Sequence, residues 1–102
     1  MTNMAPKRRY RLTPAAEQDV EDIWRSTAKQ WSPVRANLYI RDFLAAFADL
    51  ASGDRVGSPV LPGQDYYRLL VGSHLILYRA SATRIDVIRI LHQSMDLPRH
   101  VT

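Results

Sequence analysis

Twice in the first third of the chain a hydroxyl residue stands directly before a proline, at Thr13-Pro14 and at Ser32-Pro33. The hydroxyl oxygen can accept from the free N–H groups of a first helical turn. Proline next to it is already at helical φ and lacks the N–H that would go unsatisfied, so each pair marks a helix start. After the first pair, Ala16, Val20, Ile23, Trp24, Thr27, Ala28 and Trp31 recur at steps of three and four residues. After the second, Ala36, Tyr39, Ile40, Phe43, Leu44, Phe47 and Leu50 do the same. Each set is one apolar stripe on an amphipathic helix. Glu17, Asp19, Glu21, Asp22 and Arg25 occupy the other side of the first helix, with acids where the helix dipole favours them. Gly53 suits the left-handed residue that closes the second. The pattern predicts helices over Pro14–Trp31 and Pro33–Ala51. A link this short makes them an antiparallel hairpin, with Trp24, Ile40, Phe43 and Phe47 expected in the core.

Such a hairpin has an apolar face to cover, and the rest of the chain changes period. Gly53, Gly57, Gly63, Pro59 and Pro62 punctuate an aperiodic stretch from Gly53 to Asp65, read as a long, functional or mobile loop. Tyr66–Val71 and His74–Arg79 are β runs on either side of Gly72-Ser73, a two-residue loop with glycine first, as a type II′ turn requires. Ile85–Leu91 is a third run, rich in β-branched residues, and Tyr10–Leu12 is a short strand before the first helix. The predicted order is β-α-α-β-β-β. That is an α+β fold in which the hairpin packs on one face of a small, mostly antiparallel sheet. The 102 residues read as a single domain, with an ordered core over about 8–99.

No cysteine is present, which excludes disulfides and thiolate metal sites. No apolar run approaches the roughly 20 residues of a membrane span. Met1 to Arg11 is polar and basic, unlike a signal peptide, so a cytoplasmic protein without membrane association is expected. The charge is uneven. Residues 1–12 carry Lys7, Arg8, Arg9 and Arg11 and no acid; residues 13–54 carry four bases against seven acids; residues 55–102 carry six against three. This is either ordinary surface charge or the mark of an anionic partner on one face.

Three arginines, Arg68, Arg79 and Arg89, lie within the predicted strands. If Val71 faces His74 across the turn, Arg68 faces Leu77 and Tyr66 faces Arg79, which puts both arginines and Tyr66 on one face. Guanidinium forks there would bind phosphate or carboxylate; ordinary solvated strand residues are the equal alternative. His92 closes the last strand, where an imidazole can act as general acid; no carboxylate adjoins it in the chain, and Asp96 is the candidate to orient it. His74 reads as an exposed turn residue and His100 as part of a frayed tail. No Gly-rich phosphate loop, metal-spaced set or nucleophile elbow occurs, so no metal or cofactor is expected.

The segments "YRLTPAAEQDVEDIWRSTAKQW", "YYRLLVGSHLILYR" and "IDVIRILHQSMD", spread from Tyr10 to Arg99, together resemble the ParE branch of the ParE/RelE toxin superfamily. The resemblance implies the toxin of a type II toxin–antitoxin pair, neutralised by a ParD-like antitoxin with an acidic tail that folds on binding. ParE members inhibit DNA gyrase by binding it. RelE members share the fold but are ribosome-dependent mRNA endonucleases, with basic residues on the sheet and a terminal Tyr or His. Such nucleases place arginine where this chain has Leu75 and a basic residue where it has Gln93. Arg68, Arg89 and His92 remain as the residues on which a nuclease would have to be built. The expectation is a binding inhibitor of gyrase, with a RelE-like nuclease as the alternative and a toxin fold that only titrates antitoxin as a third. Antitoxin contacts are expected at Trp31, Tyr39, Arg68 and Arg79, with no sequence-specific DNA binding by this chain.

Overall fold

The structure, a computed structural model, describes residues 8–94; Lys7, Asp96 and His100 lie outside the described residues. The elements are β1 (Arg9–Leu12), α1 (Pro14–Gln30), α2 (Pro33–Ser52), β2 (Ser58–Pro59), β3 (Tyr66–Val71), β4 (His74–Ala80) and β5 (Arg84–His92). The sheet runs β1-β5-β4-β3-β2, antiparallel except where β1 lies parallel to β5. Every predicted element is present, with ends within one residue of the expected ones. The addition is β2, two residues paired with Arg68 and Tyr67. A pair containing a proline has no period to read, and only the neighbouring strand makes it one. Its loop comes so close to the sheet that a Cβ on Gly57 would lie 2.4 Å from the Arg68 carbonyl oxygen and 2.7 Å from the Tyr78 hydroxyl. The Gly57 N–H donates to that hydroxyl at 2.8 Å.

Both helix starts are built as the residues require. Thr13 Oγ1 accepts from the Ala16 N–H at 3.1 Å and donates to the Ile88 carbonyl at 2.8 Å. Ser32 Oγ accepts from the Arg35 N–H at 3.0 Å. Gly53 ends α2 at φ 87°, and Gly72 opens the β3–β4 turn at φ 59°, a left-handed conformation that glycine adopts without strain. Pairing across that turn is Val71 with His74, Arg68 with Leu77 and Tyr66 with Arg79, the register that alternation predicts.

The core lies between the hairpin and one face of the sheet. Phe43, Phe47, Ala46, Leu50 and Ala16 meet Val71, Ile76, Tyr78, Ile85, Val87 and Ile90 there. Phe43 and Phe47 are wholly buried. Trp24 and Ile40 are only half-buried, and the Trp24 indole N–H donates to Asn37 Oδ1 at 2.9 Å across the hairpin. Leu44, on the predicted stripe of α2, is exposed, because α2 turns Ala46 and Ala51 inward and rotates Leu44 out. A bulge between Leu77 and Tyr78 leaves Ile88 without a partner on β4. β1 has run out at that level, so the outer edge of β5 is capped by α1 instead. Thr13 serves the Ile88 carbonyl and Asp19 Oδ2 accepts from the Ile90 N–H at 2.9 Å. Among the described residues, no helix is long and apolar enough to cross a membrane.

Candidate functional site

Where the β3–β4 turn and the end of β5 come up against the helical hairpin, the surface opens into a cleft of about 590 Å3. Ser26, Thr27, Gln30 and Trp31 line it from the first helix and its cap, Arg35, Leu38, Tyr39 and Asp42 from α2, and Ser73, His74 and His92 from the sheet. A second hollow of about 320 Å3 shares Ser26, Thr27, His74 and His92 and extends to Asp19 and Arg89. The cleft has an apolar rim: Trp31 is 63 % exposed and Leu38 51 %, with Val34 beside them at 70 %. The Arg35 guanidinium lies 5.0 Å over the Trp31 ring, a cation–π contact between the two helices at the rim.

At the floor, Tyr39 reaches from α2 to the turn. Its hydroxyl lies 2.7 Å from His74 Nδ1, accepts from the Ser73 N–H at 3.1 Å and lies 3.2 Å from the Val71 carbonyl. The His74 ring also packs on Phe43 and meets His92 edge-on at 5.4 Å between centroids. His92 Nδ1 receives the Ser94 N–H at 3.2 Å and lies 2.9 Å from the Ser94 hydroxyl. Burial pushes the pKa of His74 below its ordinary 6.5; the neighbouring His92 adds to this, and Asp19 opposes it. His74 is therefore a half-buried member of the cleft and not the exposed turn residue the sequence suggests. The missed signal was available: His74 lies two and four residues before Ile76 and Tyr78, so alternation points it at the helices.

Arg68, Arg89 and His92, which a nuclease would need together, are not brought together. His92 pairs with His74 on the helix-facing side, whereas Arg68 sits opposite Leu77, as Arg89 does on its other side, on the sheet face turned away from the helices. Arg68 shares that face with Arg79, whose guanidinium lies 5.6 Å over the Tyr66 ring, and with Asp86, which binds Arg11 and Arg84 at 3.0 and 2.9 Å. Tyr67, by contrast, faces the helices and stacks on Tyr78. Arg89 does approach His92 along the second hollow, but its guanidinium is engaged. Nε and a terminal nitrogen donate to the two carboxylate oxygens of Asp19 at 2.7 and 3.0 Å, a bidentate fork that neutralises the charge a substrate phosphate would need. Asp19 is thus a structural residue, not the solvated acid its neighbours suggested. It lies three residues after buried Ala16 and four before buried Ile23, spacing that places it on the inner face.

Comparison with known proteins agrees with this architecture. The family model for the ParE toxin of the type II toxin–antitoxin system parDE matches residues 10–97. The chain is 38% identical over 97 residues to Toxin ParE1 of Mycobacterium tuberculosis, covering 91% of this chain and 97% of that one. It is 35% identical over 95 residues to Toxin ParE1 of Caulobacter vibrioides, covering 90% and 96%. Among solved structures, a chain of the chromosomal ParDE system from P. aeruginosa superposes with a TM-score of 0.71 at 16% identity, covering 84% of this chain and 96% of that one. A chain of the toxin–antitoxin complex RelBE2 from Mycobacterium tuberculosis gives 0.53 at 24%, covering 91% and 98%. The two structural matches establish the shared fold. The family model and the ParE1 relatives, each spanning nearly the whole chain, show that this chain belongs to the ParE toxin family of type II toxin–antitoxin systems.

Proposed function

We propose that the chain is a toxin that inhibits DNA gyrase by binding it and is held inactive by a ParD-like antitoxin. The observation that carries the antitoxin half is the 590 Å3 cleft with the large apolar side chains of Trp31 and Leu38 exposed along it. Exposed apolar surface gathered on one concave face is suited to a partner and costly to leave wet. An amphipathic antitoxin helix laid along the hairpin fills the space around Trp31 and Tyr39. A more extended acidic stretch then passes over the β3–β4 turn to reach Arg68 and Arg79 on the far face of the sheet. Such a tail is disordered when free, so apolar anchors and charge pairing must together offset its ordering entropy.

Binding rather than cleavage is favoured because Arg89 is engaged by Asp19 and Arg68 lies on the opposite face from His92. The gyrase half rests on membership of the ParE branch. The test is a supercoiling assay with purified gyrase and chain, with and without the antitoxin encoded by the adjacent reading frame. Inhibition relieved by antitoxin, with growth arrest, DNA-damage signalling and intact mRNA on expression alone, is the expected result. Codon-specific mRNA cleavage on purified ribosomes that His92→Ala abolishes would establish the RelE-like alternative.

A further inference from the structure

Two imidazoles line the cleft, and in each the Nδ1 nitrogen already has a partner. His92 Nδ1 receives the Ser94 N–H, so its lone pair is there and a neutral His92 carries its proton on Nε2. His74 Nδ1 is 2.7 Å from the Tyr39 hydroxyl, closer than the 3.2 Å from that hydroxyl to the Val71 carbonyl. The Val71 carbonyl can only accept, so the one hydroxyl proton goes to it, the 2.7 Å contact is His74 Nδ1–H donating to the Tyr39 oxygen, and a neutral His74 keeps its lone pair on Nε2. The end of the cleft thus offers one ring N–H, at His92, and one ring nitrogen, at His74, that becomes a second donor once the ring takes up a proton; the protonated pair suits a ligand group that only accepts. The charged walls nearly balance: Asp19 is forked by Arg89, Asp22 lies 3.6 Å from Arg25, and Asp42 lines the same cleft as Arg35. The protonation of the two imidazoles therefore sets the sign of this end.

We propose that the His74–His92 end of the cleft is a socket for a carboxylate, an Asp or Glu side chain of the antitoxin segment that accepts from His92 Nε2–H and draws a proton onto His74 Nε2 as it docks, so that both rings donate to it. The proposal rests on the antitoxin reading above and specifies its chemistry. The apolar rim of Trp31 and Leu38 selects a carboxylate carried on a polypeptide over a free anion, because only a chain can cover that rim while it places the acid. In the unbound chain, burial and mutual repulsion hold His74 toward the neutral form. A carboxylate at hydrogen-bond distance acts in the opposite sense and favours the imidazolium. Binding then takes up protons, and affinity falls as pH rises.

The experiment follows the imidazole ring protons of His74 and His92 by NMR through a pH titration of the full chain, alone and with the adjacent antitoxin. Calorimetry in two buffers of different ionisation enthalpy counts the protons. The His74 pKa should rise in the complex, with net proton uptake near neutral pH. A rise of about one unit at one ring makes binding about tenfold tighter well below that pKa than well above it. His92→Gln, at an exposed position, should keep the fold and lose part of the uptake. A complex that forms with unshifted imidazoles and no pH dependence overturns the socket and leaves the antitoxin reading standing. Absence of any complex defeats that reading and the socket with it. A rise produced by inorganic phosphate on the free chain but not by the antitoxin shows a phosphate site and likewise overturns the proposal.

Discussion

Asp19 joins three things at one carboxylate: α1, the Arg89 fork and the Ile90 backbone N–H at the edge of β5. Arg89 is about a third exposed and can return to water, whereas the Ile90 N–H has no other acceptor on that edge. Asp19→Ala should therefore destabilise the chain by about 1–3 kcal/mol in urea unfolding, mostly through the orphaned N–H. Arg89→Ala keeps that bond and should cost under about 1 kcal/mol; equal losses would show that the ion pair itself dominates. His74 adds a pH dependence. Its pKa is 6.5 unfolded and lower in the fold, so above about pH 6.5 it is neutral in both states and its contribution to stability is fully present. As pH falls from 6.5 through the folded value, the unfolded chain binds the proton more readily and stability is lost. The melting temperature should drop over that window, and His74→Gln should flatten the drop. Spacing from neighbouring core residues places both side chains on the helix–sheet side, but their partners could not be read from the chain, because those of Asp19 lie 70 and 71 residues away and Tyr39 is 35 residues from His74.

The two helices differ in how firmly their starts are tied. Thr13 both caps α1 and donates to the Ile88 carbonyl left free by the bulge, while Ser32 only caps α2 at an exposed position. Thr13→Ala should cost about 1–2 kcal/mol and Ser32→Ala about 0.5–1 kcal/mol in denaturant titrations. A reversed order would mean that the contact with β5 contributes nothing. Both helices and β3, β4 and β5 were legible in the chain because each has a period, a capping residue or a turn glycine that acts within a few residues. β2 was not. Ser58 and Pro59 carry no pattern of their own and become a strand only because Gly57 lets the loop lie against Arg68 and Tyr78.

Across the whole molecule the two sets of proposed antitoxin contacts fall on opposite sides of the sheet, Trp31 and Tyr39 in the cleft and Arg68 and Arg79 on the far face. Arg68→Glu combined with Arg79→Glu should weaken the antitoxin complex and make the remaining affinity less sensitive to salt, since rim pairing and steering are lost. Unchanged affinity and salt dependence would confine the antitoxin to the hairpin side. Local order, the antiparallel hairpin, the β3–β4 register and the shared face of Arg68 and Arg79 were all determined by the amino-acid sequence read alone, because capping, periodicity and strand alternation are short-range. The same reading set Asp19 among the solvated acids, left Arg89 free for a substrate and put His74 on an exposed turn. Those three were decided by packing: the bulge at Leu77/Tyr78, the early end of β1 and the reach of α1 over β5 bring together side chains that are far apart along the chain. Burial and distance set the protonation and availability of such groups, and neither exists until the layers meet.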